Sequence, residues 1–140
     1  FYVSIRGSNK KWVPSQNLGK SINTPMNEGA ATISADGKTI IFTACEQNGI
    51  YGYERTGYGS CDLFFTRHIG NTWSKPSNLG PPINTNNWES QPSLSSDGET
   101  LYFVRGVNRD GRRESDILVT HLDQEGYWST PQNSTILKLF

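Results

Sequence analysis

Apolar positions in this chain come in short runs, alternating or β-branched, punctuated by Gly, Asn and Asp. No ten-residue window keeps the spacing and caps of a helix. Residues 31–34 are half apolar and predict a first strand. Asp36-Gly37 then marks a tight turn, because glycine enters φ > 0 without steric cost. Residues 39–43, β-branched and aromatic, predict a second strand. A long Gly/Tyr-rich loop follows to Ser60, then a third strand over 62–66, a turn at 69–71 and a shorter fourth strand over 72–74 that ends near Pro76. The order then recurs: strand 93–95, turn Asp97-Gly98, strand 100–104, a loop, strand 116–121, a turn and strand 127–129. Residues 1–12 match the third and fourth strands of a preceding copy.

The recurrence has a fixed offset. Trp12, Leu18, Gly19, Ile22, Asn23 and Thr24 return as Trp73, Leu79, Gly80, Ile83, Asn84 and Thr85, 61 residues on (73 minus 12). Glu28, Ser34, Asp36, Gly37 and Phe42 return as Glu89, Ser95, Asp97, Gly98 and Phe103 at the same offset. A unit of this size cannot bury its apolar face alone and stacks on its copies. Four antiparallel strands per unit in meander order predict an all-β fold, a fragment of a β-propeller with about two and a half blades. Residues 1–27 would end a preceding blade and connect it. Residues 28–88 would form a complete blade, and residues 89–140 a second blade with a degenerate end over 134–140. Such a fragment leaves strand edges open, so a longer chain is expected.

Composition narrows the function classes. The chain has 140 residues, 34% of them hydrophobic, with 14 glycines, as expected of one folded domain. Thirteen basic residues balance thirteen acidic ones, which leaves no electrostatic footprint for nucleic acid or an anionic membrane. No apolar run approaches the ~20 residues of a membrane span. Gly37-Lys38-Thr39 is not a P-loop tail, since Thr32 stands where the first glycine belongs. His68 and His121 end equivalent strands with no nucleophile motif beside them. Glu28 and Glu89 recur in register and read as structural, and Asp62 and Asp116 at strand starts read as turn hydrogen bonding. No catalytic residue, cofactor or metal is expected.

One string carries a family resemblance. It runs Trp73, Pro76, Asn78, Leu79, Gly80, Ile83, Asn84, Thr85, then Glu89, Pro92, Leu94, Ser95, Asp97, Gly98, Thr100, Leu101, Tyr102, Phe103, then Ser115, Asp116, Ile117. It resembles the TolB-like, WD40-like propeller repeats, in particular those of periplasmic OmpA-family proteins of Gram-negative bacteria. The first copy departs from it, with Val13-Pro14 early and Ala31 in place of the proline. The resemblance implies a non-enzymatic scaffold in the periplasm, associated with the outer membrane, whose partners are envelope proteins of a larger complex. One version, which this chain looks like, tethers the type IX secretion machinery to the cell wall. Peptidoglycan would be reached only through a domain outside this chain. The alternative class is a catalytic or carbohydrate-binding propeller, such as a glycosidase or a peptidase gating domain.

Cys45 and Cys61 bracket the long loop, one at each stem. Antiparallel neighbours bring Cα atoms within disulfide reach, so a disulfide is expected, with free structural thiols as the alternative. With only two histidines in the chain, the pair makes a poor zinc set. A disulfide implies an oxidising compartment. Strand reversal puts the blade-entry segments 22–27 and 83–88 at one end, with the Cys-flanked loop and a basic loop over 105–113. There Tyr51, Tyr53, Arg55, Tyr58, Trp88, Arg109 and Arg112 are candidate partner-binding residues, being types that anchor interfaces. The competing reading folds the tyrosines onto their own loop and leaves the arginines solvated beside Asp110 and Glu114. Trp12, Trp73 and Trp128 recur in register and are expected to pack between blades; Asp36 and Asp97 mark the repeated turn.

Overall fold

In the computed structural model, which describes residues 1–134, the chain is all-β, with no helix among the described residues. β1 (Tyr2–Val3) and β2 (Gln16–Asn17) form a small antiparallel sheet. β3 (Asn27–Ile33), β4 (Thr39–Cys45) and β5 (Cys61–Ile69) follow as an antiparallel meander, with β6 (Thr72–Trp73) and β7 (Ser77–Asn78) along the far edge of β5. β8 (Trp88–Leu94), β9 (Thr100–Arg109), β10 (Arg112–His121) and β11 (Gln132–Asn133) form a second meander. One parallel pairing, Cys61 opposite Trp88, joins β5 to β8 and makes the sheet mixed. β6 lies within the expected fourth strand, 72–74; beyond Pro76, which has no N–H to donate, β7 resumes pairing on β5.

Four elements differ from the sequence expectation for local reasons. β3 and β8 begin earlier than expected because each carries a bulge, with Ala30 (φ 43°) and Gln91 (φ 55°) in the left-handed region and register shifts at 29–32 and 90–93. A bulge breaks the alternation by which a strand is read. Residues 105–113, expected as a loop, instead extend β9 and β10 into a ribbon that pairs as far as Arg109–Arg112. Asp110 (φ 52°) and Gly111 (φ 75°) turn it, the double positive φ of a two-residue hairpin.

Two apolar layers hold the meanders. β4 divides its side chains between them. Ile40, Phe42 and Ala44 join Ile22, Tyr51 and Phe64, with Phe1, Leu18 and Trp73 packed alongside. Ile41 joins Leu63, Ile83, Leu101, Phe103 and Leu118, with Phe65, Leu79, Leu94 and Trp128. Ile22 and Ile83, Phe42 and Phe103, Leu18 and Leu79, Trp73 and Trp128 occupy matching places, so one layer is built twice. Each fully buried large side chain contributes about 1.5–3 kcal/mol. Trp12 is the exception among the repeated tryptophans: it is 68% exposed, with the Arg6 guanidinium 6.0 Å from its ring centroid.

The Ile-Asn-Thr segment is a clasp. Asn84 accepts the Leu63 N–H at 2.9 Å and donates to the Leu63 carbonyl at 2.8 Å, which locks the connector against β5. Asn23 does the same to Phe1, accepting from its amino group and donating to its carbonyl at 2.7 Å. The connector start is also equivalent: the Leu79 N–H donates to the Leu63 carbonyl, as the Ser134 N–H does to that of Ile117. The remainder of the expected degenerate end, 135–140, lies outside the described residues.

Candidate functional site

The entry segments, the Cys-flanked loop and the base of the ribbon do meet, and buried ion pairs join them. Glu28 accepts the Thr24 hydroxyl and Arg55 Nη1 at 2.9 Å; Glu89 accepts the Thr85 hydroxyl at 2.6 Å and Arg105 Nε at 2.7 Å. Each arginine then donates to connector carbonyls. Arg55 reaches Ser21 and Ile22, both at 2.8 Å, and Arg105 reaches Pro82 at 3.1 Å and Ile83 at 2.7 Å. Each also sits over the core phenylalanine of its layer, Arg55 5.3 Å from Phe42 and Arg105 5.7 Å from Phe103. The cations come from different places. Arg105 belongs to β9, whereas its counterpart in β4 is Ala44, and Arg55 arrives from the loop instead. Burial pushes the Arg55 guanidinium below its ordinary pKa, and Glu28 opposes that shift.

Cys45 and Cys61 are disulfide-bonded across the β4–β5 pair, as expected. The loop between them folds inward, which corrects two partner-binding assignments. Tyr51 is 5% exposed, packs against Phe64 with ring centroids 5.9 Å apart, and donates its hydroxyl to the Gly59 carbonyl. Burial, then the negative charge of Asp62, pushes its phenol up to about 12. Arg55 is 6% exposed, the cation of the first ion pair. Tyr51 is part of the first apolar layer, and Arg55 lies over the Phe42 ring of that layer.

The other candidates remain at or near the surface. Tyr53 and Tyr58 are exposed on the same loop. Arg109 and Arg112 are exposed on the ribbon, and Arg109 pairs with Glu114 at 2.8 Å and Asp116 at 3.5 Å. Trp88 lies at the start of β8 rather than in a loop, half-buried against Gly106. Asp62 is buried and accepts the N–H groups of Tyr58 at 2.8 Å and Gly59 at 3.1 Å, the turn bonding expected of it. Asp36 and Asp97 accept hydroxyls from Ser34 and Ser95 and N–H groups from Lys38 and Glu99, which hold their carboxyls below the usual range. His68 packs edge-on to Trp73, and His121 lies 3.1 Å from the Thr100 hydroxyl.

Two open clefts had no signal in the sequence pattern. One, of about 650 Å³, lies between the meanders at the tight-turn end, with Ile41, Phe65, Leu94 and Trp128 on its walls. The other, of about 500 Å³, lies beside Trp88. Residues from distant segments form each, so no local motif announces them. The Arg55–Glu28 pair was also missed. Its one sequence signal was the recurrence of Glu28 and Glu89 without a recurring basic partner. Compared with known proteins, the chain matches no family model, no curated protein and no solved structure.

Proposed function

We propose that this chain is part of a β-propeller scaffold, non-enzymatic and periplasmic, that binds proteins of an outer-membrane-associated secretion assembly through its long-loop end. The observation that carries this reading is the doubled apolar layer, with a Glu–Arg pair closing both copies at the same end. Stacked units of that kind keep their layers constant and leave their loops free to diverge. The loops here have diverged, one into a disulfide-closed loop and the other into a ribbon. Exposed Tyr53 and Tyr58 are of the residue type that anchors interfaces. The disulfide favours an oxidising compartment. A hydrolase reading needs carboxylates available for proton transfer, and Glu28 and Glu89 are instead engaged by threonine and arginine.

The test is crosslinking of the intact chain to a periplasmic extract, with the captured proteins identified by mass spectrometry. A defined envelope protein is expected, lost when Tyr53 and Tyr58 are both changed to Ala. Hydrolysis of glycan or peptide substrates that disappears with Glu89→Gln overturns the reading in favour of an enzyme.

A further inference from the structure

The β9–β10 ribbon runs past the start of β8, and the cleft beside it is built around one aromatic ring. The indole of Trp88 is backed by the opposite strand: a Cβ at Gly106 would come within 2.7 Å of its Cε3. Only glycine lets the ring settle there. The exposed side chains of Asn86, Asn108, Ser60 and Ser115 line the same cleft.

We propose that this cleft binds a neutral saccharide, with one sugar ring stacked on Trp88. A sugar ring has an apolar C–H face and a periphery of hydroxyls, each both donor and acceptor. The indole supplies a broad apolar surface with a polar edge. Side-chain amides and hydroxyls donate and accept at once, matching the periphery. Other ligand classes fit less well. An apolar ligand would cover the amides and hydroxyls of Asn86, Asn108, Ser60 and Ser115 without giving them a hydrogen-bond partner. A phosphate needs net positive charge, and Arg113 is followed at once by Glu114 in the same lining. This site does not depend on the scaffold reading, which places its partner on Tyr53 and Tyr58.

The experiment is a titration of the intact chain with maltotriose, cellotriose and tri-N-acetylchitotriose, read by tryptophan fluorescence and calorimetry. Saturable binding of at least one is expected, with a Kd on the order of 1 mM. It weakens at least tenfold in Trp88→Ala and in the double variant Asn86→Ala/Asn108→Ala, and is unchanged in Trp12→Ala. Both asparagines are exposed, so that double variant keeps the fold even where Trp88→Ala does not. No saturable binding of any of the three at about 20 mM overturns the proposal. So does binding that survives in the folded double variant, or that is lost in Trp12→Ala. Failure of the unaltered chain to capture a partner, or capture that persists when Tyr53 and Tyr58 are both changed to Ala, leaves this titration untouched, so the two readings fail separately.

Discussion

Arg55 Nη1 meets Glu28 Oε1 at 2.9 Å across 27 residues of sequence, and both side chains are buried. The second meander makes the same pair from adjacent strands, with Glu89 opposite Arg105. In the first, Glu28 stands opposite Ala44, so the loop must bring the charge. Removing it leaves a buried carboxylate without its counter-charge. Arg55→Ala should cost about 3–5 kcal/mol in urea unfolding. Adding Ala44→Arg to that variant places a guanidinium where Arg105 sits and should restore a substantial part of the loss. A double variant no more stable than Arg55→Ala shows that the two sites are not interchangeable.

The disulfide keeps the cation in place. Its sequence separation of 16 corresponds to about 3 kcal/mol of stabilisation in the chain-entropy account. With the bond intact the Arg55 side chain is buried, and trypsin should spare the peptide bond after it. On reduction, or in Cys45→Ser/Cys61→Ser, that bond should be among the first cut, as seen by mass spectrometry of the fragments. Equal cleavage in both states contradicts the role given to the clamp.

Tyr51 should show itself in the alkaline titration. Its phenol is pushed up to about 12 from the ordinary 10.0, so folding favours the protonated form. The associated stability is fully present below pH 10 and is lost as pH rises through about 12. Tyr51 should ionise late by phenolate absorbance. Tyr51→Phe should remove that late step and, by losing the hydrogen bond to the Gly59 carbonyl, cost about 1 kcal/mol.

Two glycines predict opposite outcomes. A Cβ at Gly59 would lie 1.8 Å from the Asn87 carbonyl oxygen, a backbone atom that can yield only if the connector moves. At Gly29 a Cβ meets nothing within 4 Å. Gly59→Ala should therefore destabilise by about 3 kcal/mol or more, and Gly29→Ala should stay within about 0.5 kcal/mol, as read from thermal midpoints. Similar midpoints for the two variants contradict the close approach of loop to connector.

Much of the fold was legible because it is local or repeated. Thr39–Cys45 announced itself through β-branched and aromatic residues, and Asp36-Gly37 through turn chemistry. The cysteines were legible because they bracket a loop whose stems pair. The ribbon had a signal in Asp110-Gly111, but the charged residues around it masked the strands, which exposed positions permit. The bulges at Ala30 and Gln91 had none, since nothing in either side chain demands a positive φ.

By itself the sequence determined the period of the chain, its all-β character, its turns and the place of its two cysteines at the stems of one loop. Those follow from backbone preference and from identical neighbours, which a linear pattern records. Only the tertiary structure decided that Tyr51 and Arg55 turn inward while Tyr53 and Tyr58 face water, three tyrosines and one arginine within a single loop. For Arg55 the reason is that Ala44, opposite Glu28, supplies no charge, so the buried carboxylate gains its counter-charge from the loop; for Tyr51 it is the apolar layer around Phe64.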